Sequence, residues 1–158
     1  MNTQITDTQM ECLVREALKR YGDFKAVAAL RKMEKKGFTP EQLEQIILAD
    51  TRVCTIQSWL DMLTYDERFV VQAHLIDKLE WDRVTHQYMK HWDELFTRSD
   101  RQLGTYQAQA LQKILSFCEA FPDIVLELFG EFTENSIVPD GTSGQPAQNK
   151  PQPKKARG

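Results

Sequence analysis

Apolar residues recur three and four positions apart along most of this chain, with polar residues between them, which is the spacing of amphipathic helices. The spacing predicts a first helix over 7–20, with Met10, Leu13, Val14, Ala17 and Leu18 on one face. Gly22 is expected to end it and Asp23 to cap the next. That second helix carries Phe24, Val27, Ala28 and Leu30, then the charged run 31–36, and stops at Gly37. A third helix is expected over about 40–49 with Leu43, Ile46 and Ile47, and a fourth over about 52–62 with Val53, Ile56, Trp59 and Leu60.

Helix starts are marked chemically. Thr6-x-x-Gln9, Thr39-x-x-Gln42, Thr64-x-x-Glu67 and Ser99-x-x-Gln102 have the form of capping boxes. In each, the hydroxyl satisfies a free backbone N–H and the longer side chain reaches back to the cap. Pro40 occupies the favoured first helical position, and Ile5 with Met10 can staple the first cap. No sustained period-two alternation is present, and the Asp140-Gly141 pair lies in a low-complexity stretch rather than between strands. The predicted class is all-α, a helical bundle.

Three helical segments follow one another closely between Leu63 and Ile114. The first opens at the Thr64 box, with Phe69, Val70, Ala73 and Ile76 inward. The second runs from about Glu80 to Leu95, with Trp81, Val84, Tyr88, Met89 and Trp92 on one stripe. A short turn at Thr97 and Arg98 leads to the third, capped by Ser99 and free to continue to Ala120 before Pro122. On it, Leu103, Tyr106, Ala110, Leu111 and Ile114 face inward, while Arg101, Gln102, Thr105, Gln109 and Gln112 share the other side. Arg can pair bidentately with guanine and Gln with adenine, and a helix start adds N–H groups for a phosphate. Arg98 and Lys113 would add positive charge. A solvated face of an ordinary bundle favours the same residue types, so periodicity alone leaves both readings open. Gly104 inside this helix costs about 1 kcal/mol against Ala, and its missing side chain permits close approach of another backbone.

Composition narrows the picture. The chain has 158 residues, 41% of them hydrophobic, enough for one domain with a core. Lys plus Arg is 20 against 23 Asp plus Glu, a net charge of −3, so any nucleic-acid contact must come from a local patch. No apolar run approaches the roughly 20 residues that cross a bilayer, and no signal-peptide pattern is seen at the start. Cys12, Cys54 and Cys118 are scattered, which suits a reducing cytoplasm and buried thiols. His74, His86 and His91 lack the spacing of metal ligands. No phosphate loop, zinc motif or nucleophile elbow is present, so neither an enzyme nor a cofactor is expected. The apolar segment 121–132 can close the core or dock on a partner, with Phe121, Ile124, Val125, Leu128, Phe129 and Phe132 available. From Glu134 onward the chain is rich in Gly, Pro, Ser and Gln and is expected to be a disordered tail with a basic end.

The stretches LTYDERFVV (63–71), HLIDKLEWDRV (74–84), SDRQLGTY (99–106) and QALQKI (109–114) resemble the ArpU/RinA group of phage late-gene transcriptional regulators. More distantly they resemble the last DNA-binding region of sigma factors. Residues 14–36 also look like the helical lead-in of such regulators, and the resemblance covers most of 10–118. It implies a sigma-like helix-turn-helix in which Ser99 and Arg101 face DNA and Tyr106 straddles core and groove. Thr105 stands where members often carry a basic residue, and Gly104 departs from the pattern.

The resulting expectation is an N-terminal helical region (1–62), a helix-turn-helix region (63–120), an apolar helix (121–133) and a tail (134–158). The expected function is sequence-specific regulation of phage or prophage late genes from the bacterial cytoplasm. Its expected partners are double-stranded DNA, host RNA polymerase and a second copy of the chain, without a membrane. The DNA-binding set is Arg98, Ser99, Arg101, Gln102, Thr105, Tyr106, Gln109 and Lys113. Two alternatives stay open: a small terminase-like packaging subunit, and a protein-interaction or inhibitor module that binds no DNA.

Overall fold

The computed structural model describes residues 5–33, 37–92 and 99–136, and the described residues are helical with no strand among them. Helix α1 (Asp7–Lys19) starts at the expected box: Gln9 N–H donates to Thr6 Oγ1 at 3.1 Å, and Thr6 N–H to Gln9 Oε1 at 2.9 Å. Its face of Met10, Leu13, Val14, Ala17 and Leu18 is buried, and Ile5 packs against the same core. The chain bends at Arg20, not at Gly22, and α2 (Tyr21–Ala29) contains both Gly22 and Asp23. Asp23 is therefore no cap. The bend puts Tyr21 and Phe24 into the core, where the Tyr21 hydroxyl donates to Gln57 Oε1 at 2.8 Å.

Helix α2 gives way to a 3-10 turn over Leu30–Met33 rather than continuing through the charged run, whose residues 34–36 lie outside the described residues. Gly37 has a φ of 102°, the left-handed conformation that glycine tolerates. The expected third and fourth helices are one, α3 (Pro40–Asp61). Neither Gly nor Pro interrupts positions 41–61. The hydroxyls of Thr51, Thr55 and Ser58 bond carbonyls four residues back, so they stay within the helical ladder.

Helix α4 (Tyr65–Val70) runs directly into a π-helical segment, Val71–Ile76. Its end is marked by Lys78, the described non-glycine residue with positive φ, at 64°. There the Leu79 N–H reaches back six positions to the Ala73 carbonyl at 3.0 Å, one position further than the closing bond of a Schellman motif. Helices α5 (Trp81–Trp92) and α6 (Asp100–Ala120) follow, and residues 93–98, including the expected turn at Thr97 and Arg98, lie outside the described residues.

The apolar end segment is two helices, α7 (Pro122–Phe129) and α8 (Glu131–Ser136), divided at Gly130. A Cβ on Gly130 would lie 2.3 Å from the Leu126 carbonyl oxygen, so the backbone turns where only glycine fits. Val125, Leu128, Phe129 and Phe132 are buried, so this segment closes the core, while Phe121 and Ile124 remain exposed. The first residues of the expected tail, 134–136, belong to α8, and residues 137–158 lie outside the described residues.

Two hydrophobic cores result. The larger joins α1, α2, α3, part of the π-helical segment, the second half of α6, α7 and α8 around Trp59 and Phe129. The smaller holds Val70, Ala73, Val84, Tyr88 and Leu103, with Phe69, Leu79, Trp81 and Tyr106 packed against it. Helix α6 contributes to both, so it ties the three-helix unit to the rest of the bundle. Arg52 seals the seam of the larger core. Its side chain is 11% exposed, its Nε donates to the Leu128 carbonyl at 2.8 Å, and its guanidinium lies 5.0 Å from the Phe24 ring and 5.2 Å from that of Phe132.

Candidate nucleic-acid interface

Helix α6 begins where its sequence predicts. Ser99 is extended at φ −78°, its hydroxyl accepts from Gln102 N–H at 3.2 Å, and Gln102 Oε1 accepts from Ser99 N–H at 3.1 Å. The box satisfies two donors of the first turn and spends the Ser99 oxygen and one end of the Gln102 amide in doing so. Twenty-one residues follow without a break. Leu103, Ala110, Leu111, Ile114 and Cys118 are buried along one face.

The opposite face is polar and open. Arg101, Gln102, Thr105, Gln109 and Gln112 are all exposed, as is Ala108 between them. From Arg101 to Gln112 this stripe covers roughly 16 Å of helix axis at 1.5 Å per residue. The candidate residues differ in how free they are. Arg101 and Gln109 present their side chains to solvent. The Thr105 hydroxyl donates to the Arg101 carbonyl at 3.1 Å, which leaves its methyl outward. Tyr106 is half-buried against the smaller core. Lys113 Nζ lies 2.8 Å from Glu67 Oε1 and is held at the edge of α4. Arg98 lies outside the described residues.

Glu67, named in the sequence only as a cap, His74, considered there only as a metal ligand, and Gln107, given no role there, hold this helix in place. Glu67 is 4% exposed and Gln107 is 7% exposed, the two buried polar residues described. Glu67 Oε1 takes the Lys113 ammonium and also the Thr64 backbone N–H at 3.0 Å. Burial raises the Glu67 pKa, but the hydrogen bonds from Lys113 and Thr64 and the Lys113 charge outweigh it, and the net shift is downward. Gln107 Oε1 accepts from His74 Nδ1 at 2.6 Å, and the His74 ring stacks on Trp81 with centroids 3.8 Å apart. One histidine thus touches both α5 and α6. Gln107 is four positions from Leu103 and three from Ala110, so its inward direction is legible from helical spacing. The pairing of Glu67 with Lys113, 46 residues apart, leaves no local signal.

Tyr88, buried in the smaller core, donates its hydroxyl to Asp66 Oδ1 at 2.8 Å and so fixes α5 on α4. Among the described residues no group of His, Cys, Asp and Glu has the arrangement of a metal site. No described helix is long and apolar enough to cross a membrane. Burial pushes the Cys118 thiol up to about 12, so at neutral pH it stays protonated.

What the described residues define is an all-helical protein in which one long helix, α6, is backed by α4 and α5 and presents a polar stripe. No family model, curated protein or solved structure matches the chain.

Proposed function

We propose that the protein is a sequence-specific DNA-binding regulator of transcription, of the phage late-gene kind, that reads the major groove with the N-terminal half of α6. The observation that carries this reading is the exposed stripe of Arg101, Gln102, Thr105 and Gln109 on a helix supported from behind by α4 and α5. Supported helices of this kind place their first turns against base edges. Arg101 and Gln109 are the base readers, Gln102 offers its amide N–H, and Thr105 its methyl. Ser99 and Arg98 stand at the phosphate-facing start, and Tyr106 shapes the helix from beneath. Lys113 acts mainly through Glu67. Host RNA polymerase and a second copy of the chain are the proposed protein partners, in the bacterial cytoplasm.

The test is selection of bound fragments from the source genome, followed by anisotropy titration of the best fragment at several salt concentrations. Specific binding that weakens with salt is expected, because phosphate contacts release counterions. Arg101→Ala and Gln109→Ala are each expected to cost about 1–3 kcal/mol of specific binding with the fold intact. Unchanged affinity in both variants would remove α6 as the reading helix. A second reading, a protein-interaction module, draws support from Phe121 and Ile124, 48% and 53% exposed beside an acidic chain. Absence of DNA binding at low salt selects it.

A further inference from the structure

A cleft of about 450 Å³ opens between α4 and α5, and none of its described lining residues belongs to α6. Helix α4 faces α6 with Glu67 and its π-helical continuation does so with His74, whereas the cleft is faced by Tyr65, Phe69 and Gln72. Tyr65 and Phe69 form its aromatic wall, Ala73 its floor, and Arg68, Gln72 and Gln87 its polar edge. A more open hollow of about 300 Å³ continues from it, sharing Phe69 and Gln87 and adding Lys90 and His91.

The hollow has a structural cause. The π-helical segment supplies Gln72 and Ala73, and such turns recur at functional sites. Ala73 is buried and small, so it leaves space where a larger residue would fill the floor. Phe69 is fixed edge-on against Tyr88, with centroids 5.5 Å apart and planes at 87°, and lies 5.5 Å from the His91 ring. Tyr65 stacks on His91 at 5.6 Å.

The chemistry is divided along the cleft. Asp77, whose carboxylate accepts from Gln72 at 3.1 Å, stands at the end of the π-helical segment. Arg68, bridged to Asp61 at 3.3 Å, lines the cleft from α4, and Lys90 lines the continuing hollow from α5, where His91 Nε2 and the Tyr65 hydroxyl are already hydrogen-bonded to each other at 2.5 Å. Aromatic walls, two amides and the Lys90 ammonium together match a ligand that is planar at one end and anionic at the other. The volume is in the range of small-molecule sites, about 300–1,000 Å³.

We propose that this cleft binds a nucleoside monophosphate. Its base lies along Tyr65 and Phe69 over Ala73, with its polar edge toward Gln72 and Gln87, and its phosphate toward Lys90. No residue of the exposed α6 stripe is among the described residues that line the cleft, so this site stands whether or not α6 reads DNA.

The test is titration of the full chain with AMP and GMP, followed by backbone amide NMR, with adenosine and inorganic phosphate as separate arms. Expected are saturable shifts in residues 65–77 and 87–91 for a nucleotide, with adenosine and phosphate each weaker by about tenfold or more, since each makes half the contacts. Lys90→Glu is expected to weaken the nucleotide about tenfold and to leave adenosine unchanged. Ala73→Met, which fills the floor, is expected to remove binding. Tyr65→Ala changes an exposed side chain and serves if the buried variant does not fold. The proposal is overturned if neither nucleotide binds, if the shifts fall on α6 instead, if phosphate alone binds as well, or if Lys90→Glu and Tyr65→Ala both leave affinity unchanged.

Discussion

Lys113 Nζ lies 2.8 Å from Glu67 Oε1, and this contact fastens α6 to the start of α4. The carboxylate is buried and the ammonium is 42% exposed, so the pair is half in water. Glu67→Gln keeps the capping-box acceptor for Thr64 and loses the ion pair. It is expected to cost about 1–2 kcal/mol, the scale of a charge-assisted hydrogen bond. The cost is expected to depend on pH. Because the folded-state pKa of Glu67 lies below its ordinary value of 4.5, its stabilisation is complete above that value and is lost as pH falls through the folded pKa. Urea unfolding of both proteins between neutral and acid pH checks this. A gap that stays constant as the pH drops would show that the cost does not come from the ionised Glu67.

Arg52 performs several tasks at one seam. It bonds the Leu128 carbonyl, faces Phe24, Phe129 and Phe132, and lies 3.4 Å from Glu131. Arg52→Ala is expected to cost about 2–4 kcal/mol, combining a buried charge-assisted bond with cation–π contact. Arg52→Lys is expected to recover little of this, because an ammonium cannot donate from Nε and lie flat on the rings. Denaturant midpoints give the stabilities, and hydrogen exchange at α8 reports whether Phe132 loosens first.

Two glycines are expected to respond in opposite directions. Apart from the neighbouring backbone of its own helix, no described atom lies within 4 Å of where a Cβ on Gly104 would stand, so Gly104→Ala is expected to stabilise α6 by up to about 1 kcal/mol. At Gly130 the new carbon would meet the Leu126 carbonyl oxygen at 2.3 Å. Gly130→Ala is expected to destabilise by about 1–3 kcal/mol through the backbone shift it forces. Thermal melts of the two variants decide both. A neutral Gly130→Ala would mean that the α7–α8 junction is freer than its geometry.

The three thiols are expected to react in order of exposure. Cys54 is exposed, Cys12 half-buried and Cys118 buried with its pKa pushed up to about 12. Timed alkylation at neutral pH, followed by peptide mass analysis, is expected to label Cys54 first and Cys118 only when the core opens. Fast labelling of Cys118 under native conditions would contradict the burial of the second half of α6.

Helix starts were the most legible part of this protein. The four capping boxes form with the residues their sequences name, because each is a local contact between positions three apart. Helix ends and breaks were less legible. Gly22 looks like a stop, yet it sits inside α2, because burying Tyr21 and Phe24 moves the bend to Arg20. The break expected between positions 49 and 52 is absent, and the Thr51 hydroxyl within it bonds back into the helix. Gly130 divides what periodicity joins, since the close approach to Leu126 is invisible in the spacing of apolar residues.

The stripe on α6 was legible for the same reason as the caps. A period of 3.6 sends Leu103, Ala110 and Ile114 inward and leaves Arg101, Thr105 and Gln109 outside. Which of those polar groups are available was settled by contacts between distant segments. Glu67 takes Lys113 across 46 positions, and His74 takes Gln107 across 33. The sequence by itself determined the all-helical class, the four caps and the outward stripe, all products of neighbours within one or two turns. Tertiary structure decided the single long α3, the two cores sharing α6, and which charges are already paired, because burial and ion pairing depend on residues that meet only after the chain has packed.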